Sequence, residues 1–266
     1  MNGKKIRMNR ITKNGKAVII PMDHGTTIGP VRGIEDMNKT TPLIDEGGAT
    51  SVVLHKGIIR SLEEAPSAGI IMHISASTKL SQNPDKKVLV GSVEEAVRLG
   101  ADAVSVHVNV GGNKSEPDML YDLGKISEKC EEMQMPLLVM SYPRGDNIKD
   151  SMDPENVAMV ARVAAELGGD IVKTNYTGDV ESFKKVTQGC PIPVVIAGGP
   201  KCETDKEVLE MVDGAMKGGA AGISLGRNAF QHDSPKRIVK ALRQIIIENK
   251  TVEEALKVLE NEKSHN

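Results

Sequence analysis

The chain has 266 residues, with 34 Lys and Arg against 36 Asp and Glu and a formal net charge of −2 at pH 7. That balance offers no basic stripe for nucleic acid and no Arg/Lys-rich amphipathic segment for a membrane surface, and no window approaches the ~18 apolar residues of a spanning helix. Three cysteines without paired spacing, Cys130, Cys190 and Cys202, exclude a disulfide framework or zinc knuckle and point to a reducing, cytoplasmic compartment.

The basic N-terminal arm, residues 1–16, is not followed by the apolar run of a secretory signal. Short β-branched runs then recur: "AVIIPMD" (17–23), "TSVVLHK" (50–56), "GIIMHIS" (69–75) and "DAVSVHV" (102–108) in the first half. "PLLVMSY" (136–142), "DIVKT" (170–174), "PVVIAGG" (193–199) and "AGISLGR" (221–227) follow. Runs bounded by Gly or Pro and lacking alternation predict parallel strands buried on both faces. With no Trp, two Phe and three Tyr, aliphatic residues and Met must fill the core.

Helical patterns lie between most of these runs. A weak one, "GIIRSLEEAPS", separates strands 2 and 3, and "TKLSQNPDKKVLV" (78–90) reads as an irregular insertion after strand 3. "SVEEAVRLG" opens with Ser followed by Glu, and "DPENVAMVARVAAELGG" has Asp, then Pro, at its start and Gly at its end, as helices prefer. "TDKEVLEMVDGAMKGG" and "SPKRIVKALRQIIIEN" behave likewise, and "TVEEALKVLENE" adds a terminal helix at about 251–262. Eight strand–helix units in this length predict an α/β fold, a closed (β/α)8 TIM barrel forming a single domain over 1–266. A doubly wound dinucleotide fold would place G-x-G-x-x-G after its first strand, and "MDHGTTIGP" does not supply it.

Barrel active sites lie at the C-terminal ends of the strands. Those ends carry Asp23-His24, His55-Lys56, His73, His107 with Asn109, Ser141-Tyr142 with Arg144, Lys173, Gly198-Gly199 and Gly226-Arg227. The glycine turns after strands 7 and 8 let backbone N–H groups approach an anion, and Arg227 adds a charge-assisted contact, so Gly198, Gly199, Gly226 and Arg227 are candidate phosphate ligands. Ordinary βα turns are the plainer explanation of any one of these glycines.

Lys173 ends a strand that otherwise reads as buried. An ammonium cannot attack a carbonyl; desolvation and neighbouring positive charge favour the free amine, which can form a Schiff base. A lysine paired with Asp23, or snorkelling to the rim, is the plainer alternative. Tyr142, on the neighbouring strand, can relay a proton, and Asp23 can act as a carboxylate base. Lys56 is a rival nucleophile, read instead as a charge contributor. A metal site built from His24, His55, His73 and His107 is the rival mechanism, but no HxH or HExxH spacing supports it, and no metal is expected.

"PMDHG", "SYPRG", "DIVKTNYTGD", "AGGPK" and "GRNAFQ", in this order from Ile19 to Gln231, closely resemble the archaeal class I aldolase family, the DeoC/FbaB group. The resemblance implies that Lys173 is the Schiff-base lysine, Tyr142 the proton donor and Asp23 the proton acceptor. It also implies substrate contacts from His24, Gly25, Thr26 and Thr27 and from Pro143 and Arg144, and no cofactor, because the lysine itself is the electron sink. The fructose-bisphosphate aldolases of the group read DHGxExGP, with an acid where this chain has Thr27, so "DHGTTIGP" is more similar to the synthase branch. That branch implies transaldolase-like transfer of a ketone fragment from 6-deoxy-5-ketofructose 1-phosphate to L-aspartate semialdehyde, toward 3-dehydroquinate and aromatic amino acids. A class I fructose-bisphosphate aldolase, a metal-dependent aldolase and a non-catalytic sugar-phosphate-binding protein are the alternatives. The family also implies a homo-oligomer, often a decameric ring of barrels.

Overall fold

The computed structural model describes residues 2–199 and 202–260. Eight strands form a closed barrel: Ala17–Pro21, Ser51–Leu54, Gly69–His73, Ala103–Val110, Leu137–Pro143, Ile171–Thr174, Val194–Ala197 and Gly222–Ser224. Each pairs in parallel with the next, and the eighth closes on the first. The expected (β/α)8 barrel is therefore present.

Two packed layers hold it. Inside, Ala17, Ile19, Val53, Ile71, Leu138 and Val195 fill the barrel with aliphatic side chains, and Ile11 closes one end. Outside, alternate strand residues such as Val18, Val52, Val104, Val139 and Val172 pack under the helices. Strands buried on both faces have no polar alternation to show, which is why they read as continuous apolar runs. Both phenylalanines, Phe183 and Phe230, are buried in the outer layer.

The helices start where local chemistry supplies a cap. Asp153 accepts from the amides of Glu155 and Asn156 ahead of Pro154–Glu166. Thr204 and Glu207 form a reciprocal capping box ahead of Asp205–Lys217. Ser92 accepts from the Glu95 amide at 3.2 Å and starts Val93–Arg98. Pro235–Ile246 and Val252–Glu260 complete the C-terminal part. The last two positions of the expected terminal helix, 261–262, lie outside the described residues, as do Pro200 and Lys201 of "AGGPK" and Met1 of the arm.

Several elements differ from the sequence expectation. Strands 1, 2 and 8 end at Pro21, Leu54 and Ser224, because the polar residues beyond leave the sheet as short helices, Gly25–Ile28, Lys56–Ser61 and Arg227–Phe230. The arm is largely a helix, Gly3–Ile11. Helices Met37–Glu46, Glu116–Met133 and Val180–Gly189 have no counterpart among the predicted segments: the first carries Pro42 in its interior, and the second buries only Met119, Leu123, Ile126 and Cys130 in eighteen residues. The insertion is not wholly irregular, since Val88–Leu89 pairs antiparallel with Ser75–Ala76.

Candidate active site

Strand parity places the central residue. Along Ile171–Thr174, Ile171 belongs to the barrel interior and Val172 to the layer under the helices. Lys173 therefore points back inside, one layer above Ile171. It is 7% exposed and lines an open cleft of about 310 Å³ at the C-terminal ends of the strands. Among the described residues no hydrogen-bond or ion-pair partner holds its amine, so the lysine is neither the tied pair nor the rim side chain that the plainer reading allows. The same alternation puts Leu138, Met140 and Tyr142 inside on the fifth strand. Met140 is in register with Lys173, and His107 with Met140. Tyr142 thus opens into the cleft one layer above Met140, with the His107 ring 5.0 Å away and the Arg144 guanidinium 4.7 Å from its ring centre.

Asp23 enters from the turn after the first strand and lines the same cleft. Burial pushes its carboxyl pKa up, but His73, His24, Lys173 and His55 outweigh burial and hold it at about 2. His24 Nδ1 is 3.6 Å and His73 Nε2 3.9 Å from its oxygens. Burial in turn lowers the imidazoles: His73 to about 4, with Asp23 opposing, and His24, His55 and His107 in the same direction. At neutral pH the imidazoles are uncharged, so the cation left facing the Asp23 carboxylate is Lys173. Asp23 is accordingly an ionised acceptor beside the buried amine.

Two of the histidines, His73 and His107, are held by side-chain hydrogen bonds. His73 Nδ1 lies 2.8 Å from Ser105 Oγ, and Nε2 3.3 Å from Ser75 Oγ. Asn109 Nδ2 donates to the Asp85 carbonyl, which turns its Oδ1 toward His107 Nε2 at 2.8 Å. An acceptor there fixes the neutral His107 tautomer with its proton on Nε2. Among the described residues no group of three or more His, Cys, Asp or Glu side chains is disposed to hold a metal ion.

On the opposite wall the turns after strands 7 and 8 bring Gly198, Gly199, Gly226 and Arg227 together. Arg227 donates to the Gly199 carbonyl at 2.7 Å, and Asn228 Nδ2 to that of Gly198 at 3.1 Å. Gly226 has to lack a side chain: a Cβ would meet His24 Cε1 at 2.4 Å and the Pro21 carbonyl at 2.8 Å.

The cleft therefore gathers Lys173, Tyr142, Asp23, His24, Thr27, Arg144, Gly198, Gly199, Gly226 and Arg227. It does not include three expected contacts. Gly25 and Thr26 face an adjoining, mostly apolar hollow on the other side of Asp23, and Pro143 is buried as the last residue of its strand. Lys56 also lines that hollow, with its amine 3.0 Å from Glu95, which Arg60 shares. Sequence reading missed Lys87, which the insertion delivers into the cleft; the "DKK" of a polar loop gives no periodic signal that one of its lysines turns inward. Burial lowers the Lys87 pKa, and the Arg144 charge lowers it further.

A family model for DeoC/LacD family aldolases matches residues 17–232. The chain is 45% identical over 258 residues to 2-amino-3,7-dideoxy-D-threo-hept-6-ulosonate synthase 1 of Archaeoglobus fulgidus, covering 96% of this chain and 95% of that one. It is 39% identical over 250 residues to the 2-amino-4,5-dihydroxy-6-oxo-7-(phosphonooxy)heptanoate synthase of Streptomyces griseus, covering 91% and 90%. The structure of an archaeal fructose-1,6-bisphosphate aldolase, with its catalytic Lys covalently bound to the carbinolamine intermediate of the substrate, superposes with a TM-score of 0.86 at 33% identity, covering 92% of this chain and 99% of that one. All eight strands lie within the matched segment, and the chain is an enzyme that belongs to the DeoC/LacD family of aldolases.

Proposed function

We propose that this enzyme is a Schiff-base aldolase of the transaldolase type that condenses a ketone fragment with L-aspartate semialdehyde to form 2-amino-3,7-dideoxy-D-threo-hept-6-ulosonate. One observation carries the reading: a buried lysine at the tip of the sixth strand, with no partner among the described residues, opens into the same cleft as a phenol and an ionised carboxylate. The 45% identity to a synthase of that name supports this product.

Each residue has a step. Lys173 reacts through its amine, and the Asp23 carboxylate beside it is the proposed proton acceptor of the steps that follow. Lys173 Nζ attacks a ketone carbon of 6-deoxy-5-ketofructose 1-phosphate, and the carbinolamine loses water with Tyr142 relaying the proton. The donor's hydroxyl proton passes through Asp23 to solvent as the adjacent carbon–carbon bond breaks, a phosphorylated three-carbon aldehyde leaves, and the bond's electron pair stays on the enamine. The enamine carbon then attacks the aldehyde of L-aspartate semialdehyde, the new alkoxide takes a proton from Tyr142, and water hydrolyses the imine and restores Lys173. The glycine turns with Arg227 are the proposed phosphate station. The working form is proposed to be a cytoplasmic homo-oligomer built from one barrel domain per chain, which light scattering and a single cooperative unfolding transition would test.

A second reading, fructose-bisphosphate aldolase, draws on the 33% identity and TM-score of 0.86 to such an enzyme. Thr27 weighs against it. Its hydroxyl donates to the Ser77 carbonyl at 3.2 Å and ties the loop to the insertion, where the aldolases of the group carry an acid.

The test is incubation with 6-deoxy-5-ketofructose 1-phosphate and borohydride, followed by peptide mass spectrometry. A reduced adduct on Lys173 is expected. An adduct on Lys56 would move the site, and no adduct despite measured binding would turn attention to the histidines and a metal. Comparing heptulosonate formation with cleavage of fructose 1,6-bisphosphate then separates the two readings.

A further inference from the structure

The cleft contains four cationic side chains, Lys87, Arg144, Lys173 and Arg227, against one carboxylate, Asp23. Lys173 is assigned to the imine and Arg227 to the glycine turns. Two cations remain, and they stand together on the other flank of Lys173. Arg144 comes from the turn after the fifth strand and lies over the Tyr142 ring. Lys87 comes from the insertion, held by Ser77 Oγ and by the Pro84 carbonyl at 2.8 Å. Those two contacts leave one of its three N–H donors for a ligand.

Neither cation is neutralised. Among the described residues no carboxylate lies within ion-pair distance of Lys87 or Arg144, and no acceptor lies within hydrogen-bond distance of the Arg144 guanidinium. Lys56 and Arg60, at the adjoining hollow, are by contrast matched by Glu95. Lys87 is half-buried and Arg144 exposed at the mouth of the cleft, and the two like charges make a seat that favours an anionic group.

Direction decides which anion. If Tyr142 protonates the new alkoxide, the acceptor's aldehyde oxygen sits at Tyr142, and the rest of the acceptor extends past it. Arg144 lies against the Tyr142 ring, and Lys87 lines the same cleft. In L-aspartate semialdehyde the carboxylate is three carbon–carbon bonds from the aldehyde, a short reach beyond the phenol. We infer that Lys87 and Arg144 seat the carboxylate of the incoming amino-acid aldehyde, which makes Lys87 a specificity-determining residue for the acceptor. The inference rests on the Schiff-base synthase reading and adds to it the group that recognises the second substrate. The insertion after the third strand thereby carries one half of an anion seat whose other half is on the fifth strand.

The experiment compares acceptors that differ only in charge. Succinic semialdehyde keeps the carboxylate of aspartate semialdehyde without its amine, and butanal has a methyl in place of that carboxylate. In the wild-type enzyme kcat/KM for succinic semialdehyde should exceed that for butanal by about tenfold to a hundredfold, the range of a charge-assisted contact. Lys87→Met should lose most of that ratio, mainly through KM for the anionic acceptor, while Lys87→Arg should keep most of it. Because the ratio is taken within one preparation, a partly unfolded variant does not distort it. A Lys87→Met enzyme with the wild-type ratio overturns the inference, and so does one in which only the KM for the phosphorylated donor rises. Failure of the wild-type enzyme itself to condense aspartate semialdehyde would overturn the synthase reading and this inference with it, and is recognised without any variant.

Discussion

Lys173 pairs with Met140 across the sixth and fifth strands, and this register puts Tyr142 one alternation further along the same interior face. Proton relay and nucleophile are therefore set by main-chain hydrogen bonds of the barrel rather than by a mobile loop. Sites supported on strands hold their geometry more closely than sites on loops.

If that register serves proton transfer, Tyr142→Phe and Lys173→Ala should fail differently. Tyr142→Phe keeps the ring against His107 and Arg144 and removes only the hydroxyl. Steady-state turnover should fall by about a hundredfold to ten-thousandfold, the usual contribution of a general acid–base group, while borohydride still traps some adduct on Lys173. Lys173→Ala should abolish both signals with an unchanged circular dichroism spectrum. Unchanged steady-state rates in Tyr142→Phe would remove the phenol from the mechanism.

Gly226 gives a steric prediction at the phosphate side. Its φ of −93° lies outside the left-handed region, so close contact rather than a positive φ is what opposes a side chain there. A methyl group would sit 2.4 Å from His24 Cε1 and 2.8 Å from the Pro21 carbonyl. Overpacking of this kind costs about 1–3 kcal/mol, and Gly226→Ala should be less stable by that amount in urea. It should also displace His24 and weaken inhibition by inorganic phosphate. A variant with wild-type stability and phosphate affinity would show that the turn has slack.

The buried imidazoles make stability depend on pH in a definite direction. His73 titrates near 6.5 when unfolded and at about 4 in the fold. Between these values the unfolded chain binds the proton and the native protein does not, so stability rises with pH across that window and is lost as pH falls through it. The shift corresponds to about 3 kcal/mol. Asp23 acts lower down: its depressed pKa contributes stability above 3.8 that is lost as pH falls toward 2. Urea unfolding at pH 7 and pH 4.5 should show the first effect, and His73→Gln should shrink the difference. Equal differences in variant and wild type would place the pH dependence in other groups.

How much of this was legible in the sequence varies with the physical signal. The eight strands were, because doubly buried strands leave contiguous apolar runs. The glycine turns and Lys173 were, because glycine pairs and a charge inside an apolar run are both uncommon. Helix Glu116–Met133 was not, since one stripe of four buried residues is diluted by fourteen others. Lys56 and Lys87 show the limit most clearly. Lys56 follows a strand and reads as a rim cation, yet its charge belongs to Glu95, a residue thirty-nine positions away that no local pattern connects to it. Lys87 sits in a polar insertion with no pattern to mark it, yet a two-residue antiparallel ladder at Val88–Leu89 turns the loop back over the cleft. Both outcomes depend on tertiary contacts that one-dimensional spacing does not encode.

The N-terminal helix supplies a last prediction, at the end of the barrel away from the chemistry. Ile11 is fully buried with Ala17, Ile19, Ile71 and Ile171, in the layer below Lys173. The chain reaches it by running hard against the third strand, where a Cβ at Gly69 would meet the Arg10 carbonyl at 2.7 Å. A surface arm would contribute little to stability, whereas a side chain that closes the barrel should behave as core. Ile11→Ala should therefore lower stability by about 2–5 kcal/mol, with a matching fall in the urea midpoint. The folded fraction should still trap donor on Lys173, because the strand tips keep their register. A midpoint within error of wild type would show that the barrel floor is closed by its own side chains and that the helix only rests on it.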